Sequence, residues 1–352
     1  MSDFRGEYKV PGGKLVRIEG DIDAGRIGGV HVSGDFFLEP DEALTDLDAA
    51  LDGAPVDADV ATLVARVDSG LRPGARLIGF TSHDVAVAVR RGLGAATTWE
   101  DLSFDVIPAR VLAPAMHVAL DEVIAAQVSS GRRSPTLRLW DWDTPVVVIG
   151  SFQSVRNEVD QAAANQFGIG VVRRVTGGGA MFMEPGNCIT YSLVVPGSLV
   201  EGLSYEASYA FLDQWVLGAL AGVGVEAHFV PLNDIASKAG KIGGAAQRRL
   251  TDGTVLHHAT LSYDIDATKM MQVLRIGREK LSDKGIVSAV KRVDPMRSQT
   301  GLARETIMDA FLSHFMGLYR CRPSDYTADE LAQASELVAT KYTTSAWTNR
   351  VP

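Results

Sequence analysis

Apolar positions along the chain change their spacing several times, and these changes predict alternating strands and helices. Near the N-terminus, Lys14 to Ile18 and Gly29 to Ser33 alternate polar and apolar residues, which predicts a two-stranded hairpin. Helical spacing follows from Pro40 to Leu51, again after Asp57, and in a third segment with Ser82 as its N-cap. The first hundred residues therefore predict a small α/β unit.

From Phe104 onward the pattern predicts more strands than helices. Strand candidates are residues 137–140, 146–149, 171–172, 188–195, 227–230, 245–250 and 255–265, and helix candidates are 115–128, 205–221 and 300–318. The first of these helices carries its apolar residues on one stripe. Few strand pairs are separated by a single helix, so we expect an α+β fold with a mixed, mostly antiparallel sheet. The small, polar segment 92–103 predicts a domain boundary between residues 1–103 and 104–352.

Composition narrows the classes of function. The chain has 352 residues, a hydrophobic fraction of 46% and a formal net charge of −9, which does not favour binding to nucleic acid or to anionic lipid. No apolar run reaches the length of a membrane span. Two distant cysteines, Cys188 and Cys321, fit a reducing compartment. We therefore expect a cytoplasmic protein without nucleic-acid or membrane partners.

Three consecutive glycines, Gly177 to Gly179, lie between the strand-like segments 169–175 and 188–195. Glycine lets backbone N–H groups approach a ligand closely, and Arg173 and Arg174 place positive charge beside those amides. The combination predicts a site for an anionic group such as a phosphate. A tight hairpin with a solvated basic edge is the simpler alternative for such a run.

Further polar residues accompany the glycine run. Asn187 follows Gly186, Asn233 precedes Asp234, and Lys241 begins a strand that continues with Gly243 and Gly244. Each has an ordinary structural explanation, since asparagine caps turns and a lysine at a strand edge is usually solvated. Their combination, rather than any single one, indicates a site.

At this combination the chain resembles the lipoate–protein ligase family, whose motifs occur here in order between about Phe104 and Tyr319. The matching motifs are Ala119-Leu120-Asp121-Glu122, Gly150 with Gln153, Arg173 to Ala180, Gly186-Asn187, Asn233-Asp234, Lys241 to Gln247, Leu256 to Leu261, and Lys284 to Ser288 with Arg292-Val293. The resemblance implies a biotin/lipoate-ligase-like catalytic domain. Residues 10–93 resemble the family's small accessory domain, which here precedes the catalytic domain instead of following it.

The resemblance implies an ATP-dependent lipoate–protein ligase. Such an enzyme forms lipoyl-AMP from lipoate and ATP, and then acylates a lysine of a lipoyl domain. The implied acceptors are the acyltransferase subunits of 2-oxoacid dehydrogenases and the glycine-cleavage H protein. Lys241 would be the catalytic residue, bridging the α-phosphate and the acyl carbonyl, and Asp234 would orient Lys241 or a phosphate that carries Mg²⁺.

The same resemblance assigns a set of residues to ATP and lipoyl-AMP. They are Arg174, Thr176, Gly177, Gly178, Gly179, Ala180, Phe182, Asn187, Asn233, Asp234, Lys241, Gly243 and Ala245. Val147 and Ile149 are candidates for an apolar acyl slot by their strand position. No His, Cys and carboxylate cluster has zinc-like spacing, so we expect no protein metal site.

The chain departs from the family at Met183-Glu184, where a His-Asp pair is usual. Two alternatives to the ligase therefore remain. One is an octanoyl- or lipoyl-transferase that works without ATP, for which Cys188 is the only cysteine near the motifs, although a strand cysteine is usually inert. The other is a protein that binds lipoyl-adenylate or a lipoyl domain without catalysis. Strand histidines such as His257 and His258, which face opposite sides, are more often structural than catalytic.

Overall fold

The computed structural model describes residues 2–10, 12–94, 96–238, 240–275 and 295–352. Contacts divide the chain into two compact units, Met1–Asp101 with Ser198–Phe211, and Leu102–Gly197 with Leu212–Pro352. The segment 198–211 groups with the first unit, which no local sequence pattern indicates. The motif formed by Lys284 to Ser288 and Arg292-Val293 lies outside the described residues.

The first unit contains a three-stranded antiparallel sheet in the order β1-β2-β3, a two-stranded sheet of β4 and β5, and three helices. Its strands are β1 (Ser2–Lys9), β2 (Leu15–Asp23), β3 (Arg26–Gly34), β4 (Phe37–Glu39) and β5 (Arg76–Ile78), and its helices are α1 (Ala43–Leu51), α2 (Val60–Gly70) and α3 (Ser82–Leu93). Alternate residues of β2, such as Val16 and Ile18, are fully buried. The predicted hairpin is confirmed by the pairing of β2 with β3.

The N-cap of α3 is Thr81 rather than the predicted Ser82. The Asp84 carboxylate accepts a hydrogen bond from the Thr81 backbone N–H at 2.8 Å, and the Thr81 hydroxyl accepts one from the Asp84 N–H at 3.3 Å. This reciprocal capping box satisfies two donors that the first turn leaves free, so it fixes the start of the helix one residue earlier.

The second unit is built on an eight-stranded sheet in the order β12-β13-β14-β15-β11-β7-β6-β16. Only β6 pairs in parallel, with β7 and with β16, and the other neighbours are antiparallel. Its strands are β6 (Ser103–Leu112), β7 (Thr136–Trp142), β11 (Cys188–Val195), β12 (Ala227–Val230), β13 (Asp234–Ser237), β14 (Lys241–Arg249), β15 (Val255–Ser262) and β16 (Arg320–Pro323). The α+β fold with a mixed, mostly antiparallel sheet is thus confirmed.

A separate three-stranded sheet carries the glycine run. It has the order β10-β8-β9, and its strands are β8 (Val146–Ile149), β9 (Gly170–Arg173) and β10 (Met181–Met183). The glycines connect β9 to β10, so an additional short strand precedes Cys188–Val195, which the sequence pattern did not predict. This arrangement places residues 174–180, the glycine loop, at the C-terminal end of β8, the central strand.

The helix α4 (Pro114–Ser129) is buried on nearly every side, although its sequence predicted a single apolar stripe. It packs against β7, β11 and β15 on one side, and against α11 and the π-helical turn Val338–Tyr342 on the other. The remaining helices are α5 (Val155–Glu158), α6 (Gln161–Gln166), α7 (Tyr205–Gly222), α8 (Ala267–Val273), α9 (Met296–Thr300), α10 (Arg304–Leu318), α11 (Ala328–Leu337) and α12 (Ser345–Thr348). Within the ranges given above, none is both long and apolar enough to cross a bilayer.

Candidate active site

A cavity of about 110 Å³ lies between the glycine loop and one face of the eight-stranded sheet. The residues that line it are Trp140, Trp142, Val148, Arg174, Gly179, Ala180, Met181, Met183, Thr190, Asn233, Asp234, Lys241, Gly244, Ala245, Ala246, His258 and Thr260. Most of the predicted motifs contribute to this wall, although they are widely separated in sequence.

Strand register gives the cavity two distinct ends. Asp234 pairs with Gly244, Gly244 with Thr260, Thr260 with Thr190, and Thr190 with Trp140, so these five residues form one row across β13, β14, β15, β11 and β7. Adjacent strands are about 4.8 Å apart, so the row spans about 19 Å. One end is charged and the other is aromatic, which suits a long apolar molecule with one polar end.

The charged end is formed by Lys241 and Asp234. The Nζ atom of Lys241 lies 2.7 Å from the Oδ1 atom of Asp234, and their side chains are 42% and 33% exposed. A Cβ at Gly244 would lie 3.2 Å from both atoms, so a residue without a side chain leaves the pair room. The Asn233 amide donates to the carbonyl of Ala245 and holds the preceding loop against β14. The pair is therefore held in place by its own ion pair and is also partly open to solvent.

The rest of the wall is mainly apolar. Trp140 and Trp142 lie with their ring centroids 5.3 Å apart, and both are buried. The Sδ atom of Met183 lies 3.9 Å from the hydroxyls of Thr190 and Thr260, so this side chain covers the middle of the row. An alkyl chain that enters from the charged end would therefore meet polarisable, apolar surface.

Arg174 holds the glycine loop in shape. Its Nη2 atom donates to the carbonyls of Gly177 at 2.6 Å and Gly179 at 2.9 Å, and its Nε atom donates to the Thr176 hydroxyl at 2.9 Å. Gly178 has a φ of 89°, a conformation that glycine adopts without a Cβ clash. Acceptors within the protein occupy most of the donors of this guanidinium. In this geometry Arg174 therefore supports the glycine loop rather than contacting a phosphate.

A buried hydrogen-bond chain continues from Thr176. The Thr176 hydroxyl lies 2.8 Å from Nε2 of His258, and Nδ1 of His258 lies 2.8 Å from Oδ2 of Asp121. The Oδ1 atom of Asp121 accepts from Arg138 at 2.7 Å and from Ser192 at 2.5 Å. The carboxylate fixes the tautomer of His258 with the proton on Nδ1, so Nε2 accepts from Thr176. Thr176 itself is fully buried and does not reach the cavity.

Burial and charge set the ionisation of this chain. Burial lowers the pKa of His258, against the opposing effect of Asp121, so the imidazole is neutral. For Asp121, burial acts to raise the pKa, but Arg138, His258 and Ser192 outweigh it and the pKa is lowered. The result is a neutral histidine held between a carboxylate and a hydroxyl.

Neither cysteine reaches the cavity. Cys188 is 1% exposed, lies beside Thr190 with 3.9 Å between sulfur and hydroxyl, and packs in the core with Trp142. Burial raises the pKa of its thiol to about 11. Cys321 lies on β16, the edge strand beyond β6, and burial raises its pKa to about 11 as well. A thiol of such a pKa is protonated near neutral pH and is a weak nucleophile.

The predicted binding residues divide into two groups. Those that line the cavity are Arg174, Gly179, Ala180, Asn233, Asp234, Lys241 and Ala245. Those that do not are Thr176, Gly177, Gly178, Phe182, Asn187 and Gly243. A Cβ at Gly243 would lie 2.6 Å from the Thr260 carbonyl oxygen, so this glycine allows close packing of β14 on β15. Gly243 therefore serves the packing of the sheet rather than the lining of the cavity.

Asn187 caps a turn, as the simpler explanation predicted. Its Oδ1 atom accepts from the Glu184 N–H at 2.9 Å, and its carbonyl accepts from Tyr263 and Asp264. Its Nδ2 atom is buried and has no hydrogen-bond partner within the described ranges. Glu184 is engaged by Lys269 at 2.7 Å, so the carboxylate at this departure from the family pattern is paired.

The two residues predicted for an acyl slot do not line the cavity. Val147 and Ile149 are fully buried with Phe182 in a separate core cluster, whereas Val148 lines the cavity. Successive strand residues point to opposite faces, so a one-residue error exchanges the two. Six further residues that line the cavity were not among the predicted site residues: Trp140, Trp142, Met181, Met183, Thr190 and Thr260. The i, i+2 spacing of Trp140 and Trp142 was the one local signal for them.

In the part of the chain that the structure describes, no three His, Cys, Asp or Glu residues are grouped so that they could hold a metal ion. Of the two partners predicted for Asp234, Lys241 or a phosphate that carries Mg²⁺, the structure shows Lys241.

Comparison with known proteins identifies relatives that match about two thirds of the chain. Octanoyltransferase LipM of Kyrpidia tusciae is 29% identical over 269 residues, which cover 67% of this chain and 94% of the relative. The structure is similar to a bi-partite lipoate protein ligase from Thermoplasma acidophilum, described with its E2 lipoyl domain, with a TM-score of 0.64, 26% identity and coverage of 71% and 98%. A lipoate-protein ligase A bound with ATP shares the fold, with a TM-score of 0.62, 23% identity and coverage of 71% and 100%.

These relatives correct the predicted activity. The prediction of an ATP-dependent lipoate–protein ligase is contradicted, because curated relatives that match most of their own length are octanoyltransferases. They agree better with the alternative of an ATP-independent acyl transferase. The motifs did not separate the two activities because residues that hold an acyl carbonyl serve a thioester as well as an adenylate.

The family model for the lipoyl protein ligase A/B catalytic domain matches residues 113–316, which is more than half of the chain and includes every residue that lines the cavity. The expected resemblance is thereby confirmed. The chain is therefore an enzyme of this ligase and transferase family. The chain belongs to the lipoyl protein ligase A/B catalytic domain family.

Proposed function

We propose that this protein transfers an octanoyl or lipoyl group from a carrier thioester to a lysine of a lipoyl domain, without ATP. The observation that carries the proposal is the Lys241–Asp234 pair, 2.7 Å apart, at one end of an elongated and mainly apolar cavity. The acyl chain would lie along the row toward Trp140, with its carbonyl beside Lys241. Similarity to octanoyltransferases supports the same reaction.

The chemistry is the aminolysis of a thioester. The neutral ε-amine of the acceptor lysine attacks the thioester carbonyl, and the resulting tetrahedral oxyanion is stabilised by the Lys241 ammonium. Amine attack forms the C–N bond, the oxyanion then re-forms the carbonyl as the C–S bond breaks, and the proton lost by the amine ends on the departing carrier thiolate. Asp234 holds the ammonium in position throughout. No nucleotide is needed because the thioester is already activated.

We further propose that the acyl group passes directly between the two carriers. A covalent intermediate on the protein would need a reactive thiolate at the cavity, and the buried Cys188 thiol has a pKa of about 11. The chain has two cysteines in total, and Cys321 lies on the far edge strand of the sheet. Donor and acceptor would therefore be bound together when the transfer takes place.

The acceptors we propose are the lipoyl domains of 2-oxoacid dehydrogenase acyltransferase subunits and the glycine-cleavage H protein. ATP and Mg²⁺, which the ligase prediction required, take no part in this reaction. Within the chain, residues 104–352 would carry catalysis and residues 1–103 would be an accessory domain. Support for this division comes from the cavity, whose first lining residue is Trp140.

The test is a transfer assay with octanoyl-carrier-protein thioester and unmodified lipoyl domain, followed by intact-mass measurement of both proteins. We expect octanoylated lipoyl domain to form without ATP, and free carrier thiol to appear in equal amount. A parallel reaction supplies octanoate or lipoate with ATP and Mg²⁺ in place of the thioester. Product in that reaction alone would refute the proposal, whereas product from the thioester alone would support it.

A further inference from the structure

The C-terminal segment 345–350 lies outside residues 113–316, which the family model matches. It contacts Arg173 and Ser151, which adjoin the glycine loop. The helix α12 and the residues after it pack under the loop 150–153, which connects β8 to α5. The Trp347 indole N–H donates to the carbonyl of Arg173 at 2.9 Å, on the last residue of β9. Because β8 and β9 are parallel and Ile149 pairs with Arg173, the segment contacts the end of the small sheet from which the glycine loop starts.

Arg173 joins this segment to the loop. Its guanidinium is fully buried, and Nη1 donates to the carbonyls of Gly150 at 2.9 Å and Gln153 at 2.6 Å. On the opposite side, Nε and Nη2 donate to the carbonyls of Trp347 at 3.1 Å and Thr348 at 2.7 Å. The last carbonyls of a short helix lack partners within the helix, so α12 supplies acceptors that a buried guanidinium requires.

Arg350 forms a second connection. Its Nη2 atom donates to the Ser151 carbonyl at 2.7 Å and to the Ser151 hydroxyl at 2.6 Å. The same guanidinium lies over the Trp347 ring, 4.4 Å from the centroid, which favours one orientation of the side chain. The loop 150–153 is thus held by two guanidinium groups, that of Arg173, which also bonds to α12, and that of Arg350 in the segment 345–350 itself.

The loop 150–153 is in backbone contact with the glycine loop. The Ser151 N–H donates to the Thr176 carbonyl at 2.8 Å. A Cβ at Gly150 would lie 2.1 Å from the Gly178 carbonyl oxygen, so the two backbones pack as closely as glycine permits. A displacement of Ser151 would therefore be passed on to Gly177 and Gly178, and from there to the cavity wall at Gly179.

We propose that residues 345–350 brace the glycine loop in the position that acyl transfer requires, with Arg350 and Trp347 as positioning residues. This inference rests on the proposed function for its effect on activity, but its structural part does not. When the brace is lost, Arg173 loses the acceptors on α12, and the loop 150–153 is held from one side only. The glycine loop, and with it the cavity wall at Gly179, then samples other positions.

The experiment compares Arg350→Ala and a chain that ends at Thr344 with the matched control Asn349→Ala. Asn349 is exposed on the same segment, and its side-chain amide donates within that segment, to the Ser345 hydroxyl at 3.0 Å. Arg350 is also a surface residue, so we expect unfolding temperatures close to that of the unchanged chain for both substitutions. We expect kcat for octanoyl transfer to fall roughly five- to tenfold in Arg350→Ala, with the KM for the lipoyl domain unchanged. The peptide 345–352, added in trans, should restore part of the activity of the truncated chain.

Hydrogen exchange separates this inference from the proposed function. The amides of Ser151 and Gly177 to Gly179 should exchange faster in Arg350→Ala than in Asn349→Ala, whether or not the protein shows transfer activity. Faster exchange without any activity in the unchanged chain would refute the proposed function and leave the brace supported. Equal exchange in the two variants, or activity that falls only in proportion to the folded fraction, would refute the brace.

Discussion

The Lys241 ammonium lies 2.7 Å from the Asp234 carboxylate, at the end of a row of residues that crosses five strands to Trp140. The two residues are seven positions apart on neighbouring antiparallel strands, β13 and β14. Their pairing leaves the ammonium partly exposed and oriented along the cavity. The positive charge is thus fixed before a substrate binds, which is the arrangement that stabilises a developing oxyanion at the least reorganisation cost.

Replacement of Lys241 by alanine should abolish most of the transfer activity. Removal of one preorganised donor to an oxyanion typically lowers kcat by about 10²- to 10³-fold, and we expect a loss in that range. The matched control is Lys238→Ala, which removes an exposed lysine paired with Glu226, the residue before β12, and should leave kcat unchanged. Steady-state transfer rates and thermal unfolding of both variants provide the measurement. Equal activity of the two variants would contradict the role of Lys241.

Replacement of Cys188 by alanine should leave transfer within about twofold of the unchanged chain, because a buried thiol of raised pKa does not carry the acyl group. Stability should fall by about 1 kcal/mol for the lost packing. The check is intact-mass analysis during turnover, in which we expect no acylated protein. An octanoyl group trapped on Cys188 would show that a covalent intermediate forms and that direct transfer is wrong.

We expect the Thr176 hydroxyl to affect stability and acyl-donor binding through the two side chains that it contacts, those of His258 and Arg174. Thr176→Val keeps the shape but leaves Nε2 of His258 and Nε of Arg174 without that oxygen, at a cost of about 1–3 kcal/mol in unfolding free energy. Because Arg174 also holds the glycine loop, we expect the KM for the acyl donor to rise. Thr176→Ser retains the hydroxyl and serves as the control. Similar KM values for the valine and serine variants would exclude this positioning role.

Met183 should set the length of acyl chain that the cavity accepts. Met183→Ala opens space beside Thr190 and Thr260, so decanoyl transfer should improve relative to octanoyl transfer. Burial of two more methylene groups contributes about 1.6 kcal/mol, which corresponds to roughly a tenfold change in the ratio of kcat/KM values. The control is Met316→Ala, an exposed methionine on α10. An unchanged decanoyl-to-octanoyl ratio would place the chain terminus elsewhere.

His117 makes stability depend on pH. Burial, together with the neighbouring charge of Arg138, lowers its pKa to about 3, whereas an unfolded histidine has a pKa of about 6.5. As the pH falls below 6.5, the unfolded chain binds a proton that the folded chain does not, so stability is lost. Between pH 7.5 and pH 5.5 this one group should remove about 1.4 kcal/mol from the free energy of unfolding.

Urea unfolding at the two pH values measures this loss. In His117→Gln the loss should shrink by about the stated amount, although His258, whose pKa burial also lowers, contributes in the same direction. The exposed His228 on β12 provides the control, since His228→Gln should retain the full loss. An identical pH dependence in His117→Gln and the unchanged chain would show that His117 is not the source.

The sequence by itself determined the local features of this protein. Glycine spacing located the loop at Gly177 to Gly179, apolar runs located the strand that carries Cys188 and the later part of the strand that Lys241 begins, and ordered motifs identified the family. Each of these signals depends on residues close together in the chain, where backbone geometry and side-chain period act directly. The same signals selected Val147 and Ile149 rather than the cavity-lining Val148, because the face of a short buried strand is not visible in its apolar run.

Only the tertiary structure decided which residues share the cavity. Asp234, Gly244, Thr260, Thr190 and Trp140 come from five strands, and their alignment follows from sheet register, which long-range pairing sets. Tertiary packing likewise buried Thr176 and Phe182 away from the site and placed the C-terminal helix beneath the glycine loop. Motifs shared by ligases and transferases could not distinguish the two reactions, because both must hold an acyl carbonyl beside a cation. The physical reason is the same throughout: register and burial are properties of the whole sheet rather than of any segment within it.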